Sequence, residues 1–153
     1  MGLLAMFFKK ITTVFRSIAY TVGAVHFVTC YFVDVTLTKG PSMSPEISEN
    51  GAILLYAPTP LMKVIRGKSY PYRKNDVVIS VSPVDANKRI CKRIVATCGD
   101  VINGGKVPPG HLWLQGDNAD NSLDSRHYGA VSSGLILGRV FFIFPPKGNL
   151  KVL

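Results

Sequence analysis

A mostly β domain behind one amino-terminal membrane helix is the fold class this sequence predicts, and three observations predict it. Ser17 to Val33 is a run of 17 residues without a formal charge. Beyond residue 45 the chain breaks into short runs rich in Val, Ile and aromatics, bounded by Gly, Pro, Asn or Asp, the pattern of strands between turns. No periodic amphipathic helix stands out in that part. The 153 residues suffice for one domain with a sizeable core. A hydrophobic content of 47% and a mean hydropathy of +0.23 are high for a soluble domain and point to membrane contact.

Residues 1–16 form a basic amino-terminal segment with Lys9, Lys10, Arg16 and no acid. Residues 17–35 are read as a single transmembrane anchor. Seventeen helical residues rise about 25 Å, slightly less than the roughly 30 Å hydrocarbon core, and Arg16, Tyr20 and Tyr31 extend the span at its interfaces. A cleaved signal peptide is the rival reading, but the run exceeds the usual apolar region and lacks an Ala-x-Ala ending. The far flank carries Asp34, Lys39, Glu46 and Glu49. The positive-inside rule therefore keeps residue 1 on the cytoplasmic or matrix side and carries the rest across.

Residues 36–153 are read as the β domain, with strands at Ala52–Tyr56, Val77–Val81, Ile90–Ala96, Leu112–Gln115 and Gly138–Phe144. Ala57 to Asn75 holds three prolines and five basic residues and reads as a surface excursion. Net charge is +9, from 18 basic and 9 acidic residues. That balance fits nucleic acid, anionic lipid or a basic matrix-type environment, and because the basic residues are scattered with few aromatics between them, nucleic acid is the weaker option. Cys30, Cys91 and Cys98 show no CxxC and no paired His, which argues against a metal site. A Cys91–Cys98 disulfide and, preferred, unpaired core thiols both fit. Nothing in the sequence calls for a cofactor.

Three stretches carry chemistry. In Gly40-Pro41-Ser42-Met43-Ser44-Pro45 the prolines predict a stiff, extended backbone around Ser42. That suits a nucleophile held beside a membrane; taken alone, the stretch reads first as a proline-rich linker leaving the membrane. In Ile90-Cys91-Lys92-Arg93-Ile94, a strand puts Lys92 on the face of Ile90 and Ile94, opposite Arg93. A lysine among apolar neighbours is desolvated toward its neutral form and can act as a base; an ordinary basic strand pair is the plainer reading. Gly116 to Arg126 is so rich in Asp, Asn and Ser that it predicts a long polar turn. Within it Asp124 and Arg126 are placed to pair, and Ser122 to bond an amine. A Ser-His-Asp triad with His127 and Ser42 is the weaker alternative, and the nucleophile elbow, Ser-x-x-Lys and HExxH patterns are all missing.

Taken jointly and in order, these stretches resemble the type I signal peptidases, membrane-anchored serine proteases with a Ser-Lys dyad. The matching boxes are Ser42-Met43-Ser44-Pro45, Asn75-Asp76-Val77-Val78, Lys92-Arg93 through Gly99-Asp100, and Gly116 to Arg126 followed by Tyr128-Gly129. Only 15 residues separate Asp100 from Gly116, which leaves no room for the extra β-domain of many bacterial members. Lys92 stands where the microsomal branch has His, and the short chain looks most like the mitochondrial inner-membrane branch. Ala96, Cys98 and Glu46 depart from the family pattern without touching the dyad.

The resemblance implies a signal-peptidase-like β-domain, with Ser42 as nucleophile, Lys92 as base and Ser122 orienting Lys92. It implies that Asp124 with Arg126 holds the loop. Bacterial members often place an oxyanion hydroxyl where this chain has Gly40, so a backbone N–H near Gly40 must substitute. It further implies precursor proteins with sorting signals as substrates, a second homologous subunit as partner, inner membrane lipids around the anchor, and a catalytic domain facing the intermembrane space. The rivals are a bacterial-type secretory signal peptidase and a catalytically silent stabilising subunit.

Overall fold

The computed structural model describes residues 2–67, 71–102 and 104–153. Residue 1 of the basic segment and residues 68–70 of the expected excursion lie outside the described residues. Helix α1 (Gly2–Tyr31) is continuous over 30 residues, so the basic segment is helical and runs straight into the apolar one. Its apolar stretch, Phe8–Tyr31, has 24 residues with mean hydropathy 1.3, none of it buried against the protein. Such a length rises about 36 Å, long enough to cross a hydrocarbon core of roughly 30 Å. Lys9 and Lys10 open the stretch, where long cationic side chains reach the interface.

The helix closes with the N–H groups of Phe32 and Val33 donating to Val28 O at 2.8 and 3.1 Å. Strand β1 (Asp34–Lys39) follows at once. Asp34 and Val35, read from the sequence as the end of the anchor, therefore belong to the sheet. The Asp34 carboxylate accepts from Val35 N and from the Tyr56 hydroxyl, which anchors that turn of chain to the domain.

The five strands expected from sequence are present, each within two residues of its expected bounds: β2 (Asn50–Pro58), β3 (Val77–Val81), β4 (Arg89–Ala96), and, after the small hairpin β5 (Val101–Ile102) and β6 (Gly105–Lys106), β7 (His111–Gln115), with β9 (Ile136–Phe144) beyond the short β8 (Val131–Ser132). β10 (Lys151–Val152) adds to β9. The main sheet is antiparallel in the order β1-β2-β9-β3-β4-β7-β8. The excursion contains a helix that sequence reading missed, α2 (Thr59–Arg66), with Met62 buried. Eight residues with Pro60 in the first turn give too short a period to detect. Pro71 and Tyr72 are also buried, so the excursion is partly core.

β3 reads as an apolar run broken only by Ser80 because both of its faces are covered. Val77 and Ile79 pack with Leu54, Tyr56, Val140 and Ile143, and Val78 packs on the other side with Ile94, Leu114 and Ile136. Each fully buried aliphatic side chain contributes about 1.5–3 kcal/mol. Ser80, also fully buried, donates to Val81 O and Leu135 O at 2.9 and 3.1 Å.

Candidate active site

The sheet curls, and two unpaired strand edges face one cleft. β1 is the terminal strand of the sheet. Residues Arg89 to Lys92 of β4 pair only with β3, because pairing with β7 begins at Arg93. Thr36–Lys39 and Arg89–Lys92 both line the cleft, with Ser42, Met43 and Ile47 among its other walls. Its volume is about 130 Å³.

Ser42 sits in a tight turn, which corrects the extended backbone expected between the prolines. Ser44 N donates to Pro41 O at 3.0 Å and Ile47 N to Met43 O at 2.9 Å. Met43 and Ile47, 3% and 2% exposed, pull this turn into the core. Each proline constrains itself and the residue before it, Gly40 and Ser44, so Ser42 itself is free to bend. Gly40 takes φ +98°, a left-handed conformation that costs glycine little. Among the described residues the Ser42 N–H and hydroxyl make no hydrogen bond.

Lys92 projects from β4 on the buried side, as its alternation with Arg93 predicts. It is 3% exposed, and its Nζ donates to Ser122 Oγ at 3.0 Å. The Ser122 hydroxyl in turn donates to Asp124 Oδ2 at 2.7 Å. Burial lowers the Lys92 pKa from its ordinary 10.5, against a partial upward pull from Asp124. The amine is thereby moved toward the neutral state with a free lone pair.

Asp124 is fully buried. Burial alone would raise its pKa, but hydrogen bonds from Arg126, Gly116 N and Ser122 overcome that and hold it well below the usual carboxylate range. Arg126 grips it from Nε and Nη2 at 2.9 and 2.7 Å and donates to Ala119 O at 3.0 Å. Asp124 also caps the short helix α3 (Ser125–Tyr128) by accepting from Arg126 N. The long polar turn is therefore a built support. It fixes Ser122, and Ser122 fixes the amine.

Sequence reading missed what ties this turn to Ser42. Gly116 lies so close that a Cβ there would come within 2.4 Å of Ser42 O and 2.2 Å of Ser122 Oγ. Asn118 N donates to Ser42 O at 3.1 Å. Arg93, on the far face of β4 from Lys92, holds Asp117 in a two-pronged pair at 2.8 and 2.7 Å. The opposite charges of Arg93 and Asp117 were the only available signal, and a separation of 24 residues conceals it. Ser42, Gly40 and Lys92 meet at the cleft, with Ser122, Asp124 and Arg126 behind Lys92. His127 is exposed and does not line the cleft, which leaves the alternative triad without a base. The three cysteines are free thiols, and burial pushes Cys91 up to about 12. Among the described residues no group of His, Cys, Asp and Glu is arranged to hold a metal.

Residues 101–145 match a family model described as signal peptidase, peptidase S26. Mitochondrial inner membrane protease subunit 1 of Mus musculus is 36% identical over 152 residues, covering 91% of this chain and 87% of that one. The protein of the same name from Schizosaccharomyces pombe is 39% identical over 124 residues, 76% of each chain. Mitochondrial inner membrane protease subunit 2 of Mus musculus is 31% identical over 121 residues, 74% of this chain and 68% of that one.

Proposed function

The chain belongs to the signal peptidases of family S26, among the mitochondrial inner membrane proteases, and on that premise we propose that it cuts sorting signals from precursors with Ser42 as nucleophile and Lys92 as base. One observation carries this reading above the others. A buried lysine, lowered in pKa and fixed by the Ser122–Asp124 chain, lines the same cleft as an otherwise unbonded serine.

Lys92 gives one N–H to Ser122, which orients its lone pair. That lone pair takes the Ser42 proton as Oγ bonds the scissile carbonyl carbon. The carbonyl becomes an oxyanion, stabilised by fixed N–H donors that are each worth roughly 3 kcal/mol of barrier. The unbonded Ser42 N–H is one such donor, and with Gly40 lacking a hydroxyl a neighbouring backbone N–H supplies the second. Collapse breaks the C–N bond, and protonated Lys92 gives its proton to the leaving amine. A water deprotonated by Lys92 then bonds the acyl carbon, the bond from that carbon to Ser42 Oγ breaks, and protonated Lys92 returns the proton to Oγ.

The two free strand edges explain how the substrate is held. An extended segment entering between Thr36–Lys39 and Arg89–Lys92 gains main-chain hydrogen bonds on both sides. Its carbonyl is thereby carried to Ser42 at the head of the cleft. The anchor puts this domain on the membrane that carries the precursors, with the cleft on the intermembrane-space side, as flanking charge favours. The likeness to both subunit 1 and subunit 2 supports a second homologous chain as partner.

The test is cleavage of a precursor panel by the full chain with its partner subunit, wild type against Ser42→Ala and Lys92→Arg. Mitochondrial intermembrane-space precursors should be cut, and both variants should be inactive, since a guanidinium stays protonated. Cutting of bacterial secretory precursors alone would move the assignment to that branch. Unimpaired processing by Ser42→Ala would make the chain a silent stabilising subunit.

A further inference from the structure

Helix α2 carries more apolar surface than the core uses. Around its axis Val64, Leu61, Ile65 and Met62 form one arc, followed by Arg66 and Lys63. Met62 is buried, yet Ile65 is 65% and Val64 82% exposed. Leu61 and Ile65 of the arc border a groove of about 360 Å³ whose other walls include Phe32, Val33 and Phe141, and Val64 lies outside it. Phe32 and Val33 directly continue α1, so the groove opens where the chain leaves the membrane.

The rim of this groove is cationic. Arg66 Nη1 and Arg139 Nε share the two oxygens of one buried carboxylate, Asp76, at 2.5 and 2.8 Å. Arg139 Nη2 is further engaged with Leu153 O at 3.0 Å. Arg66 makes one side-chain hydrogen bond among the described residues, and Lys63 lies beside it on the last turn of α2. A soluble anion would leave Ile65 uncovered, and a neutral lipid would leave the rim charge unmatched.

We propose that the groove between α2 and the end of α1 binds one anionic phospholipid, its acyl chain along Leu61, Ile65 and Phe141 and its phosphate at Arg66 and Lys63. This rests on the reading of α1 as the membrane anchor.

The full chain in detergent is titrated with phosphatidylglycerol, phosphatidylcholine and inorganic phosphate, and bound lipid is read by native mass spectrometry. Wild type should retain one phosphatidylglycerol on the order of tenfold more tightly than phosphatidylcholine. Arg66→Gln should erase that preference. Because Arg66 also serves Asp76, Lys63→Glu and Ile65→Asp at exposed positions provide the fold-neutral check: the first should reduce the preference and the second should weaken both lipids. Equal retention of the two lipids, or a preference unchanged in all three variants, would overturn the proposal. So would full displacement by inorganic phosphate, which would leave a bare anion site, or expulsion of the lipid by the second subunit. Carbonate extraction of the same chain from liposomes separates the premises: release overturns the anchor, whereas retention without lipid preference overturns only the groove.

Discussion

Gly116→Ala puts one methyl group between the Ser42 turn and the Ser122 turn that supports Lys92. The added Cβ would meet Ser122 Oγ at 2.2 Å, Ser122 Cβ at 2.6 Å and Ser42 O at 2.4 Å. Ordinary carbon contacts begin near 3.5 Å, so the two segments must part by about 1 Å. Ser42 O is backbone and already accepts from Asn118 N, so the turn moves as a unit and carries its hydroxyl with it. Overpacking of this kind costs about 1–3 kcal/mol of stability, while a misplacement of about 1 Å at reacting groups costs about a hundredfold in rate. The assay pairs kcat/KM on a precursor peptide with a urea midpoint for the same preparation. The expected result is a mostly folded enzyme with kcat/KM down by about two orders of magnitude, the loss lying in kcat. Wild-type kcat in a folded Gly116→Ala enzyme would refute the claim that the approach of Ser42 to the Ser122 turn sets the active geometry.

Other perturbations read other parts of the site. Ser122→Ala removes the bonded partner of Lys92 Nζ; kcat/KM should fall about tenfold to a hundredfold, and the unpaired buried amine should cost about 1–3 kcal/mol of stability in a thermal melt. Gly40→Ala forces a side chain onto φ +98° with open space around it, so the penalty is backbone strain of about 1–2 kcal/mol, seen as a lower urea midpoint and a reduced kcat. Lys92 has a folded pKa below its ordinary 10.5, so the unfolded chain binds more protons between those two values. The stability of wild type relative to Lys92→Met should therefore rise with pH across that window and level off above it. A difference flat in pH would show that burial does not lower the Lys92 pKa.

The fold was legible wherever burial imposed a simple period. β3 and β9 announce themselves as apolar runs, and Lys92 alternates with Arg93 along β4. β1 was hidden because it follows the apolar helix almost at once, and its first residues, Asp34 and Val35, read as the end of that segment. α2 was hidden by its length and its prolines. At the site, Asp124 and Arg126 are two residues apart, and their pairing could be read from the chain. The meeting of Ser42 with Lys92 depends on how the sheet curls, and only the joint order of four motifs, read as a family resemblance, suggested it. The Arg93–Asp117 clamp and the contact at Gly116 left no periodic trace.

The role of Ser42 is tested most directly by trapping the covalent intermediate. The enzyme, together with the proposed second subunit, is mixed with a precursor peptide, quenched in acid within the first turnover, digested and analysed by mass spectrometry. The acyl half of the substrate should be found on the peptide containing Ser42, and it should be absent with Ser42→Ala and with Lys92→Arg. An acyl group on any other residue, or turnover by the Ser42→Ala enzyme, would contradict the assignment of Ser42 as the nucleophile.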